Sequence, residues 1–196
     1  MTKVESSPEK KAEPGHQIQV YTGYGKGKTT AAVGLIIRAL GMGWRVAMVQ
    51  FDKGYQGQIE HYAERHILRG FPELELFPTG CERMLSNGHF RFKNLPEDFA
   101  EAERGLSIVR ELLNRPRHQL VVLDELLAAY MCKLVKSEDI FAILDAYETA
   151  ERPFELVITG HQLPPGLLER ADLVTEMTKV KHYFDKGLPA RKGIEY

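Results

Sequence analysis

The residues with the clearest chemical capacity lie in Thr22-Gly23-Tyr24-Gly25-Lys26-Gly27-Lys28-Thr29-Thr30. Alternating glycines let a main chain turn sharply and bring its N–H groups close to an anion. Lys28 adds a mobile positive charge for phosphate oxygens, and the Thr29 hydroxyl is of the type that ligates Mg²⁺ beside them. The common phosphate loop is spelled G-x-x-x-x-G-K-[ST]. Counting back from Gly27-Lys28-Thr29 puts Thr22 at the first position and Gly23 one residue late, with Lys26 as an added base. An ordinary glycine-rich strand-to-helix turn has the same composition. The setting favours phosphate: an apolar, β-rich run (Ile18, Val20, Tyr21) enters the loop, and an apolar run from Ala31 to Leu40 leaves it. The loop would then open a helix, whose N-terminal dipole favours an anion.

The second reactive group is Asp124-Glu125, which closes the apolar run Leu120 to Leu123. At the carboxyl end of a parallel strand, one acid can hold Mg²⁺ directly or through water. The other can ligate the metal, polarise water or pair with a base. The plainer alternative is a pair of acids capping a helix from Leu126 to Leu134. Their place roughly 95 residues after the glycine-rich loop makes them the expected metal-phosphate partner of Thr29. His161 follows a strand end beside Gly160, and His182 sits in Val180-Lys181-His182, so both are candidates to face the site. His66, on an apolar stripe, reads as a packed core residue. No histidine or cysteine has metal-ligand spacing, which argues against a protein-bound zinc or a Ser-His-Asp site.

The elements that must position these residues read as α/β. Strands are expected at Gln17 to Thr22, Arg45 to Phe51, Leu74 to Phe77, Gln119 to Leu123, Glu155 to Thr159 and Leu173 to Met177. Helices are expected at Lys28 to Leu40 (apolar on most sides, so well buried), Gln58 to Arg69, and Pro96 to Asn114 with Phe99, Ala102, Leu106, Val109 and Leu113 inward. Another should open at Ser137 as its cap, and a short one spans Pro165 to Arg170. Thr79 to Leu95 reads as a long loop of the kind used for lids or binding. Its Phe90 and Phe92 would either cover a flat ligand or tuck into the core. The alternation implies a three-layer, mostly parallel sheet of about six strands, with ligands at the strands' carboxyl ends.

Met1 to Pro14 is polar and is expected to form a disordered tail over residues 1–15, before a single domain over 16–196. With 196 residues, 43% apolar content and 27% charge, the chain is ordinary in composition. Its net charge of −1 argues against nucleic acid. No apolar run approaches a membrane span, no signal-peptide core opens the chain, and the two cysteines, Cys81 and Cys132, form no disulfide framework. The expectation is a cytoplasmic protein.

Several motifs in order carry a more specific likeness. They are Tyr21-Thr22-Gly23 through Ala32, Val49-Gln50-Phe51 with Lys53-Gly54, Thr79-Gly80, Val121 through Leu126, Ile158-Thr159-Gly160, Ala171 through Met177, Val180-Lys181-His182 with Phe184-Asp185, and the ending Lys192-Gly193-Ile194-Glu195-Tyr196. From about Gln17 onward the chain resembles the ATP:corrinoid adenosyltransferases of the cobalamin pathway. That resemblance implies a RecA-like fold, typically a homodimer. It also implies transfer of the 5′-deoxyadenosyl group of ATP to the Co(I) of a corrinoid, with release of triphosphate. ATP would lie on Gly23, Tyr24, Gly25, Lys26, Gly27, Lys28, Thr29 and Thr30, with Arg38 where the family has a nucleotide-side arginine. Mg²⁺, or Mn²⁺ in its place, would sit on Thr29 with Asp124 and Glu125. Lys28, Thr29 and Glu125 would carry catalysis, and a flavoprotein would be the electron donor.

Four positions depart from the family pattern. Tyr24 stands where many members have Asn, and Cys81-Glu82-Arg83 where many have aromatic-Thr-Trp. His161 and Thr178-Lys179 replace commonly found arginine-containing segments, leaving His161 and Lys179 as stand-ins for phosphate-binding arginines. Two rivals follow: an ATPase or kinase that cleaves between phosphates, and a nucleotide- or corrinoid-binding regulatory module without activity. A RecA-like nucleic-acid motor fits the charge and size least.

Overall fold

A computed structural model describes residues 15–54, 60–83 and 91–195. The described residues form a six-stranded parallel sheet in the order β3-β2-β4-β5-β1-β6. The elements are β1 (Ile18–Thr22), α1 (Lys28–Gly41), β2 (Val46–Gln50), α2 (Glu64–Leu68), β3 (Leu74–Pro78), α3 (Pro96–Asn114), β4 (Leu120–Asp124), α4 (Leu126–Met131), α5 (Ser137–Thr149), β5 (Glu155–Thr159), α6 (Leu167–Arg170) and β6 (Leu173–Glu176), with a 3₁₀ turn at Tyr183–Lys186.

Side-chain alternation along the central strands feeds two cores, one on each face. Ala47, Val49, Val121, Leu123, Leu156 and Ile158 pack with α3 to α6. Val46, Met48, Leu120, Val122 and Val157 pack with α1 and α2. Handedness explains this split. The chain moves one way along the sheet from β1 to β2 to β3, then back from β3 to β4, β5 and β6. Right-handed crossovers therefore place α1 and α2 on one face and the later helices on the other. Because every strand is parallel, Thr22, Gln50, Asp124 and Thr159 finish along one edge, with Gln50 in register with Asp124 and Tyr21 with Thr159.

Several local expectations change. Beside Lys28 at its start, α1 buries the stripe Ala32, Ile36 and Ala39 and leaves Ile37 45% exposed, because a single layer of helix meets the sheet there. The expected 58–69 helix is α2 alone among the described residues. It turns Arg65 and Leu68 inward and leaves His66 and Ile67 exposed, so His66 is not a core residue. In α3 the inward stripe includes Gly105 and Leu112, while Phe99 is half-exposed. Gly105 is small for a reason: a Cβ there would come within 2.6 Å of the Phe51 ring. Ser137 is the first residue of α5 rather than its cap. The Lys136 N–H donates to the Asp139 carboxylate at 3.0 Å instead, and the Ser137 hydroxyl turns to Glu138. The expected tail over 1–14, and Phe90 in the long loop, lie outside the described residues. Phe92 is 86% exposed and does not enter the core. Among the described residues no helix is long and apolar enough to cross a membrane.

Candidate functional site

The glycine-rich loop runs from the end of β1 into α1. Gly23 and Gly27 have φ of +99° and +120°, a region that L side chains rarely adopt. Their neighbour explains more. The Gly25 N–H donates to the Met177 carbonyl at 2.6 Å, and a Cβ on Gly23 or Gly25 would come within 2.5 Å of that oxygen. The glycines therefore let the loop lie against the end of β6 as well as curve. Thr22 Oγ1 and the Gly23 N–H both donate to the His161 carbonyl, at 2.9 and 3.2 Å.

Within the loop, Lys28 Nζ folds back to donate to the carbonyls of Gly23 and Gly25, at 2.8 and 2.9 Å. Burial pushes its pKa below the usual lysine range. Lys26 points the other way, into the C-terminal segment. Its ammonium reaches Glu195 and the Ile194 carbonyl, each at 2.9 Å, and the Tyr183 hydroxyl at 3.1 Å. Tyr183 and Arg191 also hold the Glu195 carboxylate. Tyr24 is exposed and stacks on the His161 ring with centroids 5.5 Å apart. The His161 Nδ1 is buried without a hydrogen-bond partner among the described residues.

The strand edge supplies the acids. Asp124 is fully buried and accepts four hydrogen bonds. Thr29 Oγ1 and Thr159 Oγ1 donate to its Oδ1 at 2.9 and 2.8 Å; Gln50 Nε2 and Lys53 Nζ donate to its Oδ2 at 3.1 and 2.7 Å. Burial would raise the Asp124 pKa, but the Lys53 ammonium together with the hydrogen bonds from Lys53, Gln50 and Thr159 holds the carboxyl below the usual range. Burial likewise opposes the Lys53 charge, and Asp124 and Glu125 outweigh that and keep it raised. Glu125 sits at the start of α4 with φ +59°. Its N–H donates to Thr159 Oγ1 at 2.9 Å, and no hydrogen bond reaches its carboxylate among the described residues. It stands at the N-cap position, but its side chain makes no cap hydrogen bond, so the reading of its carboxylate as a helix cap fails. Burial raises its pKa, with Lys53 opposing. Glu125, Thr29, Thr30, Lys53 and Tyr62 line a cavity of about 530 Å³ closed on one side by Gly193 to Glu195.

The fold thus gathers the loop, Asp124, Glu125 and His161. It leaves others outside. Arg38 is exposed on α1, ten residues past Lys28 and about 15 Å along the helix axis. Lys179 pairs with Asp185 at 3.0 Å on the surface, and His182 Nδ1 accepts the Phe184 N–H at the 3₁₀ turn. Arg83, where the resemblance leads one to look for aromatics, is buried against Asp52 at 2.8 Å and Asn94 at 3.1 Å.

Residue type and spacing do not mark Lys53, Gln50, Thr159 or Arg65 as site members. The signal for Gln50 was a polar residue at the end of an apolar strand. Arg65 gave none, since it lies between apolar positions of a helical pattern. Its guanidinium is fully buried and donates to Gln50 Oε1 at 2.6 Å, the Lys53 carbonyl at 2.6 Å and Glu60 at 3.0 Å.

Comparison with known proteins adds the decisive observation. Residues 15–196 match the family model described as ATP:corrinoid adenosyltransferase BtuR/CobO/CobP. The chain belongs to the ATP:corrinoid adenosyltransferase family. It is 36% identical over 177 residues to a corrinoid adenosyltransferase of Pseudomonas aeruginosa, covering 90% of this chain and 82% of that one. It is 34% identical over 183 residues to the Escherichia coli K12 corrinoid adenosyltransferase, covering 91% and 85%. It is also 34% identical over 181 residues to corrinoid adenosyltransferase CobA of Salmonella typhimurium, again covering 91% and 85%. The glycine-rich loop, the strand-end acids and the six-strand parallel sheet all fall within the matched region.

Proposed function

We propose that this protein transfers the 5′-deoxyadenosyl group of ATP to the Co(I) centre of a corrinoid and releases triphosphate, in adenosylcobalamin synthesis or salvage. The observation that carries this reading, beside family membership, is the set of three ammonium groups on one glycine-rich loop and its cavity: Lys26, Lys28 and Lys53. Such a site suits a reaction whose developing charge lies on a polyphosphate leaving group. Co(I) attacks the ATP 5′-carbon with its electron pair. The C5′–O bond breaks, its electrons leave on the triphosphate oxygen, and cobalt becomes formally Co(III). The nucleophile is the substrate itself, so the protein's tasks are alignment and stabilisation of the leaving charge.

Each residue then has a defined task. The loop N–H groups and Lys28 bind the phosphates once Lys28 leaves the Gly23 and Gly25 carbonyls. Lys26 exchanges Glu195 for phosphate, and His161 offers its buried Nδ1 beside Tyr24. The hard oxygens of Thr29, Asp124 and Glu125 suit Mg²⁺ or Mn²⁺, and Glu125 is the carboxylate turned to the cavity without a partner among the described residues. When bound, the metal neutralises charge on the phosphates. Phe92, exposed on the 91–95 segment, suits contact with a flat corrinoid. The apolar side chains of Ile37, Met42, Trp44 and Ile67, exposed around α1 and α2, suit burial by a second copy in a homodimer. A flavoprotein as electron donor and a cytoplasmic location complete the reading.

One observation favours a second reading. A carboxylate with a raised pKa facing the cavity, Glu125, also suits activation of water in an ATPase that cleaves between phosphates. The deciding experiment is anaerobic incubation with Mg-ATP and chemically reduced cobalamin, following corrinoid absorbance and the nucleotide products. A light-sensitive adenosylated corrinoid with equimolar triphosphate is the expected result. ADP formed without corrinoid would overturn it.

A further inference from the structure

Lys53 occupies an unusual place. Its Nζ lies 2.7 Å from Asp124 Oδ2 and 2.9 Å from Thr29 Oγ1. Thr29 spends its one hydroxyl proton on Asp124 Oδ1, and one of its two lone pairs already accepts from this ammonium. The Asp124 carboxylate offers about four lone-pair sites, and all four are taken. Lys53 is firmly held. Its carbonyl accepts from Arg65 at 2.6 Å, its N–H donates to the Thr79 carbonyl at 2.9 Å, and its ammonium lies 5.4 Å from the centre of the Tyr62 ring. A hydroxyl and a carboxylate converging at one point form a hard-oxygen set suited to Mg²⁺. That point already holds a positive charge, the Lys53 ammonium.

We propose that Lys53 is the resident cation of the metal position. Its ammonium fills the place between Thr29 and Asp124, keeps divalent metal out of the nucleotide-free protein, and yields that place only when a polyphosphate offers it other oxygens. The reading of this chain as a nucleoside-triphosphate enzyme underlies the proposal, which adds an order of events to it: metal and nucleotide enter together. The physical ground is mutual exclusion. A monovalent and a divalent cation bridging the same two oxygens would sit within a few ångströms of each other in a poorly screened site, where their repulsion is large. A phosphate chain on Lys28 brings negative oxygens to which Lys53 can turn. Lys53 is therefore a positioning residue. It holds Thr29 and Asp124 in place before the ligand arrives, and it prevents a tightly bound metal from occupying the loop without substrate.

The test is a titration of Mn²⁺ into nucleotide-free protein at pH 8, with free Mn²⁺ counted by electron paramagnetic resonance. Wild type is expected to bind no specific ion at sub-millimolar concentration. Lys53→Met, of similar length and without charge, is expected to gain one site at least about tenfold tighter. Adding Asp124→Asn to that variant should remove the site. Equal affinities in wild type and Lys53→Met would overturn the proposal. So would one micromolar Mn²⁺ per nucleotide-free wild-type chain that Asp124→Asn abolishes, a result that needs no Lys53 variant. Lys53→Gln serves if circular dichroism shows Lys53→Met unfolded. Adenosylation by the same wild-type preparation separates the two ideas. Adenosylation together with tight nucleotide-free Mn²⁺ sinks the resident cation alone. Mn²⁺ exclusion together with ADP as product sinks the adenosyl reading alone.

Discussion

Arg65→Met is the perturbation whose outcome the structure bounds most tightly. The guanidinium is fully buried, and three acceptors depend on it: Gln50 Oε1, Glu60 Oε1 and the Lys53 carbonyl. It also lies 4.4 Å from the centre of the Tyr62 ring. Breaking a buried ion pair by removing one partner costs about 3–5 kcal/mol. Glu60 keeps Arg69 at 2.8 Å, so its charge is not stranded, and the lower end applies. At roughly 2–4 °C per kcal/mol for a chain of this length, about 3 kcal/mol lowers the melting temperature by about 6–12 °C. Gln50 also donates to Asp124, so the loss should reach the site, and ATP affinity should fall with stability. Thermal unfolding by circular dichroism, with ATP binding by calorimetry, measures both. Glu60→Gln completes a cycle in which a coupling of about 1 kcal/mol or more is expected between the contacting side chains. Arg65→Lys, which lacks the planar fork, should fall between. A melting temperature within about 2 °C of wild type would refute the reasoning, since it would mean that these acceptors find partners without the guanidinium.

Other outcomes follow from single contacts. Lys28→Ala should lower corrinoid-dependent triphosphate release by on the order of 100-fold or more, and near-normal rates would remove the loop from the mechanism. Arg91 holds the Asp98 carboxyl at about 2, below its ordinary 3.8. With the folded pKa depressed, the stabilisation is present above about pH 4 and is lost as the pH falls toward 2, an amount of about 2 kcal/mol. Urea midpoints measured across that range should show a steep acid limb that Asp98→Asn flattens, and an unchanged limb would count against the pair. Glu195→Gln should free Lys26, so the Kd for tripolyphosphate should fall severalfold at low salt and converge with wild type near 1 M salt. A Kd that does not change at low salt would mean that the Glu195 side chain does not compete for that lysine.

What could be read from the chain and what could not divides along a physical line. Strand-loop-helix order, hydrophobic alternation and the run Leu120 to Asp124 depend on neighbours in sequence, and they located the sheet and both halves of the candidate site. The bounds of Pro96–Asn114 and Glu155–Thr159 were legible because proline, asparagine and apolar runs act locally. Solvent exposure was less so. The exposed face of α1 and the outward turn of His66 follow from which side meets the sheet, and an apolar pattern does not carry that information.

The sequence by itself determined that a basic, glycine-rich loop and two acids would meet at one edge of a parallel sheet, because chain direction and right-handed crossovers force those ends together. Only the tertiary structure decided how the charges are shared there. Asp124 and Glu125 are adjacent and identical in charge type. Yet β4 buries the first among four donors, and the positive φ of the second leaves its carboxylate facing the cavity. Lys53 follows β2 and Lys28 opens α1, each just past a strand end. One reaches across the sheet edge to Asp124, whereas the other folds onto its own loop. The pairing of a buried charge depends on which side chains three different strands and a helix bring within about 3 Å, and packing sets that distance, not spacing in the chain.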